Sequence, residues 1–165
     1  MDTQNVSSFL KNSEISTLLD IRPTKDFLKG HLPNAISIPF PIRLKELRRR
    51  YRSEIPLNEL NLFIENVEEW KESVLPYLVS SSPCFVYCQT GGLRSFYFHQ
   101  ILQAYDANMY FLKGGYQGYC EFQNKYFKEI NFSKLYVLKG IDISLHLLNN
   151  DFVILNSSMY IFFIG

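Results

Sequence analysis

The sequence of 165 residues predicts an α/β domain with a mainly parallel sheet flanked by helices. Short apolar runs of strand length occur at 16–21, 35–39, 84–88 and 108–112, and helical patterns separate most of them. The first two strands and the short helix between them fit within about twenty residues, which is typical of parallel strand–helix–strand units. An apolar content of 47% and a charged content of 20% indicate one folded domain with a substantial core.

The amino-terminal elements are short and closely spaced. Residues 1–15 are polar and predict a short helix or a lead-in segment. A buried strand at 16–21 precedes a helix at 24–29, because Pro23 suits the first turn of a helix and Gly30 suits the position just after its end.

A basic amphipathic segment follows the second strand. Leu44, Leu47 and Tyr51 recur at helical spacing, which predicts one apolar face. The candidate RNA-contacting side chains on the other face are Arg43, Arg48, Arg49, Arg50 and Arg52. Two interpretations stay open: contact with RNA phosphates, or a solvated helix face with glutamates nearby.

The central and later elements continue the alternation of helices and strands. A long amphipathic helix is predicted over 60–78, with Trp70 in the core and an end or kink near Pro76. The remaining predicted elements are a strand at 84–88, a helix at 95–105, a strand at 108–112 and a helix at 116–127.

Charge and cysteine content exclude several classes of protein. The net charge of +1 creates no overall field toward nucleic acid or a membrane. Three cysteines without a CxxC pair, and no secretory signal, predict a reducing cytoplasm and no disulfide scaffold. No His/Cys cluster has zinc-ligand spacing, so neither a metal nor another cofactor is predicted.

The most informative stretch is the loop after the strand at 84–88. It consists of Cys88, Gln89, Thr90, Gly91, Gly92, Leu93, Arg94 and Ser95. The two glycines allow the backbone to curl with its N–H groups inward, and the following helix start adds further unpaired N–H groups. A free thiol is only a few per cent thiolate at neutral pH, and this setting favours the thiolate. The loop therefore predicts a nucleophilic Cys88 facing an oxyanion pocket, against the plainer interpretation of a small buried apolar residue.

The other candidate reactive side chains are expected to be structural. The strand places Cys84 roughly 13 Å from Cys88, whereas a disulfide needs Cα atoms less than about 7 Å apart. Cys120 is expected to pack inside its helix, with a role as a partner thiol as the alternative. His99 is expected to be structural, and Asp20 and Arg22 are expected to form an ion pair near the first strand.

Four stretches of the sequence resemble the motifs of the rhodanese domain, in the same order. They are Asp20-Ile21-Arg22; Asp26-Phe27 with Gly30-His31-Leu32-Pro33-Asn34-Ala35; the Cys88 loop; and Leu112-Lys113-Gly114-Gly115-Tyr116. The Cys-x-x-Gly-Gly-x-Arg-Ser form of the loop resembles the amino-terminal rhodanese domain of bacterial tRNA 2-selenouridine synthase more than generic rhodaneses. The resemblance covers residues 16–128.

The resemblance implies a reaction and its partners. That family joins a rhodanese domain to a P-loop domain and replaces the sulfur of wobble 2-thiouridine in tRNA with selenium, using selenophosphate, through a geranylated intermediate. By the same resemblance Cys88 is the active thiol, and Gly91, Gly92, Arg94 and Ser95 hold the incoming anion. Cys88 would take sulfur or selenium from thiosulfate, a protein persulfide or selenophosphate. The further expected partners are tRNA and a separate P-loop protein.

The carboxy-terminal segment departs from this pattern. Residues 1–130 are predicted as the rhodanese-like domain, and residues 131–165 as a remnant or aberrant segment. The stretch 134–140 resembles the first strand of the P-loop domain, but no Gly-x-x-x-x-Gly-Lys-Ser/Thr loop follows it. The apolar end at 152–165 is too short and too interrupted to span a membrane. It is expected either to form a hairpin packed on the domain or to be the aberrant end of a shortened product.

Two other functions remain as alternatives. Cys88 and Arg94 also satisfy Cys-x5-Arg, the spacing with which phosphatases and arsenate reductases attack and hold an oxyanion. Against this, Tyr87 stands where such phosphatases usually carry histidine, and no aspartic acid is evident as the leaving-group acid. The second alternative is a non-catalytic module that binds tRNA or a partner protein.

Overall fold

A five-stranded parallel sheet forms the centre of the fold in the computed structural model. Its strands are β1 (Asp2–Gln4), β2 (Thr17–Asp20), β3 (Ile36–Ser37), β4 (Cys84–Tyr87) and β5 (Met109–Leu112), in the spatial order β1-β5-β4-β2-β3. The structure describes residues 1–13, 16–50, 57–78, 83–105, 108–129, 134–139, 152–156 and 159–164. All four strand pairings in this sheet are parallel, which confirms the predicted α/β class.

Helices connect the strands, as parallel pairing requires. They are α1 (Val6–Ser13), α2 (Thr24–Phe27), α3 (Leu44–Arg50), α4 (Val67–Leu78), α5 (Leu93–Leu102) and α6 (Gly115–Glu129). Two 3-10 segments, Leu57–Phe63 and Gln103–Tyr105, precede α4 and follow α5. The helix α4 ends two residues beyond Pro76, close to the predicted end.

Two predicted elements differ from the observed ones. The strand β1 was expected to be part of a helix or lead-in, but Asp2 to Gln4 pair with Tyr110 to Leu112 of β5. The predicted helix over 60–78 is two elements, because Asn66 adopts a φ of 46° between the 3-10 segment and α4. A continuous helix cannot pass through a residue in that left-handed conformation.

Alternating side chains of the strands pack into two separate cores. Cys84 and Val86 of β4 join one core, whereas Phe85 and Tyr87 join the other. Successive side chains of a strand point to opposite faces, so the two cores lie on opposite faces of the sheet. Trp70 belongs to the first core, where its ring packs against Phe40 and Phe98, as predicted for a core residue.

A second, antiparallel sheet contains β6 (Lys134–Lys139), β7 (Phe152–Asn156) and β8 (Met159–Ile164) in the order β6-β8-β7. The interpretation of residues 131–165 as a remnant segment stays a prediction. Within the ranges that the structure describes, no helix is long and apolar enough to cross a membrane.

A buried ion pair joins the end of β2 to the loop that follows it. The Arg22 guanidinium donates to the Asp20 carboxylate through Nε and Nη2, with the shortest contact at 2.6 Å, and both residues are at most 1% exposed. Arg22 Nη2 also donates to the carbonyl of Gly30 at 2.7 Å, and the guanidinium lies 3.8 Å from the ring centroid of Tyr116. Burial alone lowers the pKa of Arg22, but the hydrogen bonds and charge of Asp20 outweigh it and raise that pKa above its usual value. The expected Asp20–Arg22 pair is therefore confirmed.

Replacing Asp20 by asparagine is expected to destabilise the fold by about 3–5 kcal/mol, because it leaves the Arg22 charge buried without a counter-charge. Urea unfolding followed by circular dichroism measures this change. The matched control is Lys29→Ala, which removes an exposed contact of 3.6 Å with Asp26 and is expected to cost less than about 1 kcal/mol. Equal effects of the two substitutions would contradict the role assigned to the buried pair.

Candidate active site

Cys88 stands at the carboxyl end of β4, which lies between β2 and β5 in the sheet. Ligand sites of parallel α/β sheets commonly lie at this edge, where the loops following neighbouring strands meet. Cys88 is 2% exposed and packs in the same core as Cys84 and Val86. Gln89 and Thr90, the next two residues of the loop, are exposed.

Close packing of two glycine-containing turns sets the shape of the loop. Gly91 has a φ of 66° and Gly115 a φ of 59°, both in the left-handed region that favours glycine. A Cβ on Gly115 would lie 2.7 Å from the amide nitrogen of Thr90 and 2.6 Å from that of Gly91, and it would also collide with the carbonyl oxygen of Cys88. The turn between β5 and α6 therefore contacts the cysteine loop backbone to backbone.

Hydrogen bonds hold the same two segments together. The amide of Tyr116 donates to the carbonyl of Cys88 at 2.8 Å, and the amide of Gln117 donates to the carbonyl of Gln89 at 3.0 Å. On the other side, Arg22 Nη1 donates to Oε1 of Gln89 at 3.4 Å. The start of α6 and the buried ion pair thus fix the first two residues of the loop.

The loop also carries buried donors that could bind an anion. Arg94 Nε and Ser95 Oγ are buried, and neither has a hydrogen-bond partner in the part of the chain that the structure describes. Burial lowers the pKa of Arg94 from its usual value, and the negative charge of the Cys88 thiolate opposes that change. The helix α5 begins at Leu93, and the amides of its first turn have no intrahelical acceptor. These groups favour a bound anion near Cys88.

The two other cysteines do not share this environment. Cys84 is 2% exposed, and burial raises the pKa of its thiol to about 12. Cys120 packs against the core on the opposite face of the sheet from Cys88, which agrees with the predicted packing role. His99 is partly buried against Phe111, and burial lowers its pKa below the usual value.

The basic segment around α3 is only partly described. Arg43 Nη1 donates to Glu46 at 2.8 Å, as the interpretation of a solvated face with glutamates expects for this residue. Arg48 and Arg49 are exposed on α3. The side chain of Arg50 and the whole of Arg52 lie outside the described residues.

Sequence reasoning included Gly114, Gly115 and Tyr116 in a motif but did not assign them a role at the site. Their backbone supports the cysteine loop. This contact arises because β5 lies next to β4 in the sheet, and that strand order cannot be read from the sequence. The available sequence signal was a pair of glycines directly after a strand.

The fold and the site together define a parallel α/β domain that presents one cysteine on a curled loop between a strand and a helix. The model of the rhodanese-like domain matches residues 3–122. The chain therefore belongs to the rhodanese-like family. No curated protein matches the chain.

The solved structures that this chain resembles have distant sequences. The N-terminal domain of a proposed ATP/GTP-binding protein from Clostridium difficile 630 has a TM-score of 0.56 at 19% identity, covering 74% of this chain and 98% of that one. A rhodanese-related protein from Thermoplasma volcanium has a TM-score of 0.47 at 23% identity, covering 73% of this chain and 92% of that one. The reduced CoADR-RHD of Bacillus anthracis has a TM-score of 0.47 at 16% identity, covering 76% of this chain and 17% of that one. The first likeness supports the fold alone.

Replacing Gly115 by alanine is expected to displace the cysteine loop and to destabilise the domain by more than about 1–2 kcal/mol, the usual penalty for a left-handed residue. Thermal unfolding and sulfur loading of Cys88 measure the two effects. Gly92→Ala is the matched control for stability alone, because Gly92 has a φ of −99° and its added Cβ would meet only the Thr90 hydroxyl, at 3.3 Å. If Gly115→Ala retains the stability and loading of the wild type, the packing of the two turns does not control the loop.

Proposed function

We propose that this protein transfers sulfane sulfur through a persulfide on Cys88. The observation that carries the proposal is a pair of buried donors without a partner among the described residues, Arg94 Nε and Ser95 Oγ, in the first turn of the helix that follows the cysteine loop. Buried polar groups are normally hydrogen-bonded, so two that lack partners among the described residues support an anion site. Membership of the rhodanese-like family supports the same role.

The proposed reaction has two half-reactions. The Cys88 thiolate attacks the outer sulfur of thiosulfate; the S–S bond of thiosulfate breaks, sulfite leaves with its electron pair, and a new S–S bond forms on Cys88. An acceptor such as cyanide then attacks the terminal sulfur, thiocyanate leaves, and the thiolate is regenerated. No further oxidant or reductant is consumed, and ping-pong kinetics follow from the covalent intermediate.

The loop is suited to stabilise this intermediate. An S–S bond is about 2.05 Å long, so the persulfide carries the reactive atom beyond the buried sulfur of Cys88. Arg94 and the unpaired amides at the start of α5 stabilise the terminal anion. These interactions are stronger in a buried site than in bulk water, because the effective dielectric constant of the protein interior is lower.

Replacement of Cys88 by serine is expected to abolish the gain of one sulfur atom on incubation with thiosulfate, because the hydroxyl cannot form the persulfide. Intact-mass spectrometry measures the adduct, and release of thiocyanate by cyanide measures its transfer. Cys84→Ala is the matched control and is expected to keep the adduct, since the Cys84 thiol is buried and stays protonated at neutral pH.

A Cys88→Ser protein that loads sulfur as well as the wild type would contradict the proposal. Because Cys88 and Arg94 also have the Cys-x5-Arg spacing of phosphatases, an aryl phosphate is the second substrate to test. Turnover of aryl phosphate without sulfur loading would indicate phosphatase chemistry instead. Loading the wild type in parallel from selenosulfate, which releases sulfite as thiosulfate does, tests selenium as the cargo.

We further propose that, with selenium in place of sulfur as the atom carried on Cys88, the acceptor is a tRNA in wobble 2-thiouridine to 2-selenouridine modification, with the P-loop step supplied by a separate protein. The Gly-Gly-x-Arg-Ser form of the loop supports this assignment, and so does the exposure of Arg48 and Arg49 on α3. Exposed arginines can bind phosphates without reading sequence.

Binding of tRNA is expected to weaken steeply with salt, because phosphate contacts release counterions. Removing both Arg48 and Arg49 is expected to reduce the slope of log K against log salt by about 1.4–1.8, or 0.7–0.9 for each lost contact. Filter binding over a salt series measures the slope, with Lys11→Ala as a control for net charge. A flat response of the wild type would contradict the tRNA proposal and leave sulfur transfer untouched.

A further inference from the structure

Tyr116 stands at the point where the cysteine loop meets the buried ion pair. It is the second residue of α6, and its amide donates to the carbonyl of Cys88 at 2.8 Å. Its side chain packs against the core that contains Tyr87, on the face of the sheet opposite the core of Cys88. The backbone of Tyr116 therefore contacts the loop, while its ring contacts a different part of the structure.

The ring of Tyr116 covers the Arg22 guanidinium. Arg22 Cζ lies 3.8 Å from the centroid of the Tyr116 ring and 5.5 Å from that of Tyr87. The two rings are close to parallel, with 24° between their planes and 6.3 Å between their centroids. A guanidinium over an aromatic ring is attracted by the partial negative charge of the ring face. The contact at 3.8 Å therefore holds Arg22 in place and shields it from water on one side.

The hydrogen bonds of Arg22 leave one nitrogen for the cysteine loop. Nε and Nη2 donate to Asp20, and Nη2 also donates to the carbonyl of Gly30. Nη1 donates to Oε1 of Gln89 at 3.4 Å, which is long for a hydrogen bond, and Gln89 is exposed. Water competes for such a donor unless packing excludes it. The ring of Tyr116 supplies that packing.

Gly30 makes room for the side chain of Tyr116. A Cβ on Gly30 would lie 2.7 Å from the hydroxyl oxygen of Tyr116, and Gly30 has a φ of 154°. Because the carbonyl of Gly30 also accepts a hydrogen bond from Arg22, the ring and the guanidinium both lie against one short turn.

We propose that Tyr116 is a positioning residue for Cys88, with its ring holding Arg22 toward Gln89 while its amide holds the Cys88 carbonyl. This inference rests on the proposed sulfur transfer and identifies a residue that acts on it without touching the donor. The two contacts reach the loop at consecutive residues, so together they fix the peptide that carries the reactive sulfur. A small displacement of an attacking atom lowers the rate of a displacement reaction.

Replacing Tyr116 by leucine is expected to lower kcat for transfer from thiosulfate to cyanide about tenfold and to leave KM within about twofold, since the direction of attack changes and donor binding does not. Tyr116→Phe keeps the ring and is expected to keep the kcat of the wild type. Tyr110→Leu is the matched control, because Tyr110 packs, partly buried, against the same core and stacks on Phe85 instead of Arg22. Steady-state kinetics below the unfolding temperature of every variant measures these effects.

A second substitution tests the route through Arg22. Gln89→Leu removes the acceptor of Arg22 Nη1 and is expected to lower kcat about threefold. Because the ring of Tyr116 acts through this hydrogen bond, the double variant is expected to lose no more than Tyr116→Leu alone. A loss of about thirtyfold in the double variant, the product of two independent effects, would contradict the proposal.

Alkylation of Cys88 by iodoacetamide tests the positioning without sulfur transfer. A looser loop exposes the thiol, so Tyr116→Leu is expected to accelerate alkylation at Cys88, whereas Tyr110→Leu leaves it unchanged. Peptide mass spectrometry assigns the adduct to Cys88 and separates it from Cys120, which lies one turn beyond Tyr116 in α6.

The outcomes separate the positioning role from the proposed function. If Tyr116→Leu keeps the kcat and the alkylation rate of the wild type, the positioning role is wrong while sulfur transfer stands. The same conclusion follows if Tyr110→Leu or Tyr116→Phe loses as much kcat as Tyr116→Leu. If the wild type loads no sulfur, the proposed function fails, and the alkylation rates alone decide the positioning of Cys88.

Discussion

The contact between the cysteine loop and the turn after β5 is the constraint on which the site depends. The backbone of Gly115 approaches the amides of Thr90 and Gly91 so closely that no side chain fits between them. Hydrogen bonds from Tyr116 and Gln117 lock the carbonyls of Cys88 and Gln89 to the first turn of α6. Since those carbonyls face α6, the curvature of the loop is set by a neighbouring strand connection and not by the loop sequence alone.

Neighbouring residues at the end of β4 pack in different cores, on opposite faces of the sheet. Tyr87 packs on one face, where its hydroxyl accepts a hydrogen bond from the amide of Leu32 at 3.0 Å. Cys88 packs on the other face, below α3 and α5. The ion pair of Asp20 and Arg22 links these regions, because Arg22 contacts Gln89 of the loop and the carbonyl of Gly30. The site is thus supported from three sequence-distant segments.

The sequence predicted the parts of this fold that have a local cause. Strands β4 and β5 are continuous apolar runs because they are buried on both faces, and the paired glycines mark the loop and the turn after β5. The strand β1 could not be found, since Asp2, Thr3 and Gln4 are polar and become a strand only by pairing with β5. The break at Asn66 was also hidden, because apolar spacing continues through it. The support of the loop by Gly115 depends on strand order, which local pattern does not encode.

The near-complete burial of Cys88 has a consequence for the lifetime of anything it carries. Thiol exchange requires the attacking sulfur to reach its target along the axis of the breaking bond, and access limits the rate of such reactions. A tripeptide thiol such as glutathione is far bulkier than cyanide or sulfite, so the burial of Cys88 slows its approach more than theirs. For the persulfide proposed on Cys88, this burial therefore lowers the rate at which bulky thiols remove the terminal sulfur.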